Sequence, residues 1–318
     1  MPANKTMTLA FEQVSCLFGH TAPAEKLFER PDWWLGLPGD FAWRRCSECG
    51  LLFLSPRPSL STIATYYPPE YAAYSPAIDD ERWPWMRWKR RRNLRPQVTA
   101  VNRYAAYGRL LDVGCATGNY LAEMRRHGWE VQGIELQAAA AAYARARFNL
   151  EVFTGDLLDS RLPGNHFDAV TMWNVLEHTH DPLTILREVH RLLKPGGLVV
   201  FSIPDPDSKE ARAFGPAWIG YDAPRHLYLF HDASLDRLLV ETGFALLEKQ
   251  HSLATYHTWI ASWHTQLNRR QATTLRRLLV KGAYLPFWPT LTAPYFHWLN
   301  KSGRGSIVTI YAHARSTT

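Results

Sequence analysis

Through the middle of the chain, short apolar runs alternate with stretches that carry apolar residues at helical spacing. Leu110, Leu111 and Val113 form a run that suits a strand covered on both faces, and Tyr120 to His127 reads as a helix stopped by Gly128. Val131 to Glu135 is a second strand. A third precedes Thr154-Gly155-Asp156-Leu157, and His166 to Asn174 is a fourth. Asp181-Pro182 starts a helix, with an N-cap acid followed by proline at the first helical position. Leu183, Leu186, Val189 and Leu193 keep helical spacing until Lys194-Pro195-Gly196-Gly197 ends it, and Leu198 to Pro204 is a fifth buried strand. Such alternation predicts an α/β fold with a parallel, doubly wound sheet and a ligand beyond the strand C-termini. Ala245 to Glu248 and Ser306 to Ala312 read as two further strands. About sixty residues separate them where a hairpin would suffice, so residues 251–304 are expected to form an insertion or cap.

The turn after the first of these strands carries the chemistry. Gly114 and Gly118 allow a sharp turn and close approach to a ligand, but Ala116 stands where a dinucleotide fingerprint has its second glycine and Asn119 where it has its last. Asp112, two residues before the first glycine, suits a ligand bearing an ammonium group better than one bearing phosphates. Glu135 ends the next strand, where a carboxylate can accept hydrogen bonds from both ribose hydroxyls. The order of these features resembles the class I S-adenosylmethionine (SAM)-dependent methyltransferases. That resemblance implies a Rossmann-like seven-stranded sheet and a SAM site built from Asp112, Gly114, Ala116, Gly118, Glu135, Leu136, Asp156, Leu157 and Asn174, with Asp156 receiving the adenine amine. It also places the loop carrying Glu177 and His178 beside the methyl donor.

Cys46-Ser47-Glu48-Cys49-Gly50 has the form of one zinc-ribbon knuckle, and Cys16 with His20 supplies an irregular partner, giving a candidate tetrahedral site of Cys16, His20, Cys46 and Cys49. A ribbon of this type that has lost its metal is the other reading. Leu51 to Pro58 and Tyr66-Tyr67-Pro68-Pro69-Glu70-Tyr71 resemble bacterial methyltransferases that carry such a ribbon ahead of the catalytic domain, including sugar C-methyltransferases. In those enzymes a histidine in a comparable segment acts as base, which nominates His226, with His178 and Glu177 next. Here Arg225 replaces the acid that precedes the histidine, so a neighbouring cation is expected to lower the imidazole pKa. The organisation expected is a ribbon-like segment 1–72, a basic aromatic helical linker 73–105 and a methyltransferase domain 106–318.

Composition narrows the function classes. The chain has 318 residues, 46% of them hydrophobic, which is enough for a substantial core. The net charge of +7 comes from basic residues concentrated in Arg87 to Arg95 and Arg269 to Lys281, outside any nucleic-acid reading motif. The loop after the fourth strand also lacks an Asn/Asp-Pro-Pro-aromatic element of the kind used on flipped bases, so no nucleic-acid partner is expected. Trp83, Trp85 and Trp88 among arginines fit either a helix at a bilayer surface or one that covers the sheet with tryptophans packed inward. Gly282 to Asn300 has no Asp, Glu, Lys or Arg, and Pro286, Pro289 and Pro294 argue against a continuous membrane-spanning helix. The segment fits an apolar lid, a bilayer contact or packing on the sheet edge. No signal pattern opens the sequence, so a cytoplasmic protein is expected. The function expected is methylation of a small-molecule or glycan-linked acceptor, at oxygen ahead of carbon. A membrane-surface enzyme acting on a lipid-linked or quinone-like acceptor, and a SAM-binding scaffold without turnover, are the alternatives.

Overall fold

The computed structural model describes residues 9–68, 77–105, 107–251, 256–270, 278, 282–283 and 288–315. The N-terminal part holds β1 (Phe11–Glu12), β2 (Glu25–Glu29), β3 (Ala42–Arg45), β4 (Leu52–Leu54) and β5 (Arg57–Pro58). A long helix, α1 (Pro84–Tyr104), leads into an alternating series: β6 (Arg109–Val113), α2 (Asn119–Arg126), β7 (Glu130–Glu135), α3 (Ala138–Phe148), β8 (Glu151–Thr154), β9 (Phe167–Trp173), α4 (Pro182–Leu192) and β10 (Leu193–Pro204). Then come α5 (Lys209–Phe214), β11 (Tyr228–Leu229), α6 (Asp232–Glu241), β12 (Phe244–Gln250), α7 (Tyr256–Arg269), α8 (Trp288–Lys301) and β13 (Ile307–Ala314).

Seven strands form the main sheet in the order β12-β13-β10-β9-β6-β7-β8. Neighbours from β8 to β10 are parallel, whereas β13 runs antiparallel to both β10 and β12. The order reverses beside β6, and the glycine turn after β6 lies at that switch point, where open α/β sheets leave a crevice. One face is covered by Val98 and Val101 of α1, Leu121 and Met124 of α2 and Ala141 and Ala144 of α3. On the other face a single core joins α4 and α6 to the N-terminal segment, with Trp43, Leu51 and Phe53 packed in the same cluster as Leu176, Trp218 and Leu227.

That shared core has a backbone counterpart. The second sheet, β11-β4-β3-β2, takes its edge strand from Tyr228–Leu229, in register with Phe53 and Leu52, and Leu54 N–H donates to the Leu227 carbonyl at 2.9 Å. The N-terminal segment is therefore stitched to the stretch that carries His226.

Three expectations change. The Lys194-Pro195-Gly196-Gly197 turn does not simply end a helix: α4 stops at Leu192, Leu193 already pairs with Phe167, and the turn is accommodated as a register shift within β10. Pro289 and Pro294 do not interrupt α8; Pro289 sits in the first turn, where a missing N–H costs nothing, and only Pro294 removes an interior bond. The tryptophans at the start of α1 do not pack inward: Trp83, Trp85 and Trp88 are 53%, 56% and 57% exposed, because only the C-terminal half of the helix, at Val98, Ala100 and Val101, reaches the core. No described helix is long and apolar enough to cross a membrane. Pro69, Glu70, Tyr71, the 72/73 boundary, Arg276, Arg277, Lys281, Pro286 and Phe287 lie outside the described residues.

Candidate active site

The crevice at the C-terminal edge of β6 is shaped by residues that only a tight turn accommodates. Gly114 has φ +76°, and a Cβ there would meet the Val175 side chain at 2.6 Å, so the loop after β9 rests directly on the glycine turn. Gly118, at φ +78°, begins α2 against Leu150 and Ala144. Between them Ala116 holds a left-handed φ of +47°, an uncommon conformation for a non-glycine residue, and its N–H donates to Glu135 Oε2 at 2.8 Å. The other Glu135 oxygen accepts from Gln137 N–H at 2.8 Å. This carboxylate thus braces the glycine turn, one oxygen on Ala116 and the other on Gln137.

Asp112 is buried and accepts a 2.6 Å hydrogen bond from the Thr171 hydroxyl. Burial pushes its carboxyl up to about 8, against the Thr171 bond and with help from the Glu135 charge. Asp156 caps the short turn Leu157–Asp159 by accepting from Leu158 N–H at 2.9 Å, with Leu157 buried beneath it. Leu136 is 68% exposed just past β7, an apolar side chain left open at the crevice. Asn174, at φ +54°, is fixed by Ser202, whose carbonyl and hydroxyl both accept from its N–H. The sequence-predicted cofactor residues from Asp112 to Asn174 therefore all lie at the ends of β6 to β9.

Beyond Asn174 the chain makes the short turn Leu176–His178 and meets the segment before β11. Glu177, His178 and His226 converge there, one ligand-capable atom of each lying within 4.8 Å of the others. The two imidazoles stand edge to face with centroids 4.6 Å apart. His178 Nδ1 is 3.0 Å from the Arg225 carbonyl and 2.8 Å from the Tyr67 hydroxyl, and His226 Nδ1 is 2.8 Å from the Gly220 carbonyl. Burial pulls the pKa of both rings down, to about 3 for His178, where His226 adds to the effect. His178 is therefore neutral at pH 7. The expected effect of Arg225 on His226 is present, but burial is the larger cause, since Arg225 is itself neutralised.

Arg225 is fully buried and forked between two carboxylates. Its Nη1 and Nη2 donate to Asp32 at 2.9 and 2.7 Å, and its Nε and Nη2 donate to Asp222 at 2.7 Å each. Asp32 comes from the N-terminal segment and Asp222 from the loop before β11, so the pair of bridges locks one to the other. Helix α7 adds further ties: Ile219 N–H donates to Ser262 Oγ at 3.0 Å and Thr265 bonds the Ala217 carbonyl in this loop, and Asn268 donates to the Trp33 carbonyl of the N-terminal segment. Asp32, Tyr67, Thr171, Asp222 and Ser202 are the residues here that sequence reasoning misses. Their partners are far away along the chain, and no local signal announces them.

Glu177 is 1% exposed, and burial pushes its carboxyl up to about 8. The unfolded chain ionises this group near 4.5, so its contribution favours folding at acid pH and is lost progressively as pH rises from about 4.5 to about 8. Glu177→Gln, measured without added divalent cations, is therefore expected to raise Tm at pH 8 by roughly 2–4 °C and to leave it unchanged near pH 4.5. Equal melting curves at pH 8 would show that the carboxyl is not held neutral.

A second cluster gathers the four N-terminal candidate ligands. Cys16 Sγ lies 3.5 Å from both His20 Nδ1 and Cys49 Sγ, and His20 Nδ1 lies 3.3 Å from Cys46 Sγ. A zinc tetrahedron with ordinary Zn–S and Zn–N bonds has edges of roughly 3.5–3.8 Å, so the donor atoms fit within a few tenths of an ångström. Two turns shape the site, each with a glycine at positive φ (Gly19 and Gly50) whose N–H bonds back to the carbonyl of Cys16 or Cys46. Burial raises the Cys46 thiol, but the N–H groups of Cys49 and Glu48 and the His20 ring outweigh it and bring it down to about 7. Arg237 of α6 donates to His20 Nε2 at 2.6 Å. A cation on Nδ1 would move the ring proton to Nε2, where Glu48, 3.9 Å away, is the matching partner.

A family profile described as a methyltransferase domain matches residues 85–249, from α1 to the end of β12. The chain belongs to this methyltransferase family. Among curated relatives, the ubiquinone biosynthesis O-methyltransferase of Alkalilimnicola ehrlichii is 42% identical over 102 residues, covering 30% of this chain and 40% of the relative. That of Pseudomonas paraeruginosa is 37% identical over 100 residues, 29% and 43% of the two chains. The match thus spans about two fifths of these relatives. Among solved structures, a SAM-dependent methyltransferase from Mesorhizobium loti is 18% identical, with 74% of this chain and 100% of that one covered at a TM-score of 0.47. The geranyl diphosphate C-methyltransferase of Streptomyces coelicolor is 14% identical, with 69% and 76% covered at a TM-score of 0.46.

Proposed function

We propose that the protein transfers the methyl group of SAM to a hydroxyl of a small-molecule or glycan-linked acceptor in the cytoplasm. The observation that carries this reading is the continuity of two sites at one sheet edge: the glycine turn braced by Glu135, and, across the loop that rests on Gly114, the imidazole and carboxyl groups of His226, His178 and Glu177. In this reading Asp112 supports the methionine amino group through the turn, Glu135 holds the ribose, Asp156 receives the adenine amine and Leu136 covers the purine. Leu157 and Asn174 complete the pocket walls. The family membership supports the methyl donor, and the names of the ubiquinone-pathway relatives support oxygen as the methylated atom.

The donor is a sulfonium and already activated, so the protein's work is chiefly to orient the acceptor, a task that can supply roughly 7–11 kcal/mol, and then to draw off one proton, usually worth ~10²–10⁴ in rate. His226, His178 and Glu177 form the proton-handling end. Glu135→Ala is expected to weaken binding of SAM and its demethylated product by at least about tenfold, a loss of roughly 1.4 kcal/mol, in calorimetry. His226→Ala is expected to bind both normally while losing about 10²-fold or more in transfer of labelled methyl. Absence of heat with either ligand in the unaltered protein would end the proposal, and full turnover by His226→Ala would move the proton to another residue. Binding with no transfer in any extract would favour the scaffold reading.

A second reading concerns where the acceptor is met. Trp83, Trp85 and Trp88 are exposed on a helix start surrounded by Arg82, Arg87, Lys89 and Arg92, the composition of a helix lying in a lipid headgroup layer. They favour a lipid-linked or quinone-like acceptor taken at a membrane surface. In the N-terminal segment we assign Cys16, His20, Cys46 and Cys49 to a structural zinc ion.

A further inference from the structure

Helix α1 is built against its own electrostatics. Arg87, Arg91 and Arg95 recur every four residues and so share one face, where like charges destabilise a helix. Arg87 closes the first turn, the positive end of the helix dipole, and neither an acid in that turn nor a side-chain cap from Trp83 compensates. Carboxylates answer only part of this charge. Asp79 accepts from Arg91 and, at 2.7 Å, from Arg126, and Glu123 accepts from Arg126 at 3.1 Å. Arg87, Arg92 and Arg95 have no carboxylate partner among the described residues, and Arg91 Nε is buried without a hydrogen-bond partner. A buried donor left unpaired is costly, and it calls for an acceptor the chain does not itself supply.

These four arginines and Trp88 wall a cavity of about 470 Å³ between α1, the turn Ile78–Asp80 and α2, with Asp79 and Glu123 also in its lining. A cavity of that size takes a small organic molecule. We propose that it binds a phosphate ester. Such a group carries roughly −1.5 to −2 charges at pH 7 and presents three acceptor oxygens, so it can engage several guanidinium forks at once where a carboxylate would satisfy one. It offsets the repulsion among Arg87, Arg91 and Arg95 and supplies an acceptor for Arg91 Nε. The exposed indole of Trp88, with Arg92 stacked 5.2 Å from its ring centroid, is a flat wall for the organic part of the ligand. The same chemistry is offered by a soluble phosphate ester and by a phospholipid headgroup. No residue of the cavity belongs to the glycine-turn crevice or to the His226 cluster, so the site stands apart from the methyl-transfer reading.

The test uses the full-length protein and two probes that share one phosphate: glycerol 3-phosphate, followed by calorimetry, and vesicles of phosphatidylcholine with phosphatidic acid, followed by co-sedimentation. The double variant Arg87→Gln, Arg95→Gln is expected to bind at least about tenfold more weakly than the unaltered protein. Arg270→Gln, Arg304→Gln, which removes the same charge at exposed positions elsewhere, is expected to bind fully. Because Arg87 and Arg95 give up no partner, the first variant should melt no lower than the unaltered protein without ligand, which separates lost binding from lost folding. Binding of glycerol 3-phosphate with this pattern supports the site and names a soluble ester as its ligand; binding of the vesicles alone, with the same pattern, supports it and names a headgroup. Failure of both probes at millimolar phosphate overturns the proposal. So does full binding by Arg87→Gln, Arg95→Gln, or an equal loss in the two double variants, which would assign the attraction to net charge alone.

Discussion

Purified protein is expected to contain one zinc per chain by metal analysis, and Cys46→Ser to abolish it and to unfold the N-terminal sheet. Structural zinc in small domains contributes roughly 10–16 kcal/mol to folding at neutral pH. The chain offsets part of that loss, because Trp43, Leu51 and Phe53 bury themselves in the catalytic core and do not depend on the ion alone. The expected phenotype is therefore a lower, broader melting transition with loss of hydrogen-exchange protection in β2 to β4, not complete unfolding. No zinc at any stoichiometry would mean that the four side chains meet for packing and that the ribbon has dispensed with its metal.

Arg225→Met is the second large effect. Removing one member of a buried ion network leaves its partners charged and unpaired, which costs about 3–5 kcal/mol. Here two carboxylates, Asp32 and Asp222, would be stranded at once, both of them buried. Unfolding in urea should reveal the loss. The triple replacement Asp32→Asn, Asp222→Asn, Arg225→Met, which removes the stranded carboxylates but leaves the buried Arg30 beside them without its acidic neighbours, should recover part of it. If the single replacement left stability unchanged, the network would be ornamental and the docking of the N-terminal segment would rest on β4, β11 and the apolar core. The same variant should alter His178, since the Arg225 carbonyl that fixes its ring moves with the backbone.

The readability of this chain divides along the lines of what is local. The strands β6 to β10 are legible because each is a short apolar run closed by its own turn, and the helix start at Asp181 is legible because N-cap and proline lie side by side; the observed bond from Thr184 N–H to Asp181 bears this out. The glycine turn that carries the proposed donor site is legible for the same reason. The four candidate metal ligands can be gathered from two knuckles only because each knuckle is itself a local pattern. By contrast, Asp32 meets Arg225 across 193 residues, and Tyr67 meets His178 across 111. Composition and periodicity carry no record of such pairings, which depend on where the complete fold brings the chain back. The Lys194-Pro195-Gly196-Gly197 turn misleads because four helix-ending residues in a row mask the strand pairing of Leu193 with Phe167 that precedes them. The tryptophans of α1 are ambiguous in principle, since sequence shows that a side chain is large and amphipathic but not whether anything comes to cover it.

The pairing of β4 with β11 also bears on how the molecule is made. Arg57 and Tyr228, beside that pairing, are 171 residues apart. At ribosomal speeds of about 5–20 residues per second, the nascent chain waits roughly 10–35 s before the matching strand emerges. During that interval an open, apolar strand edge is available to any other chain nearby. The newborn polypeptide thus has reason to meet a chaperone early, and a polypeptide cut short before Tyr228 would expose that edge permanently.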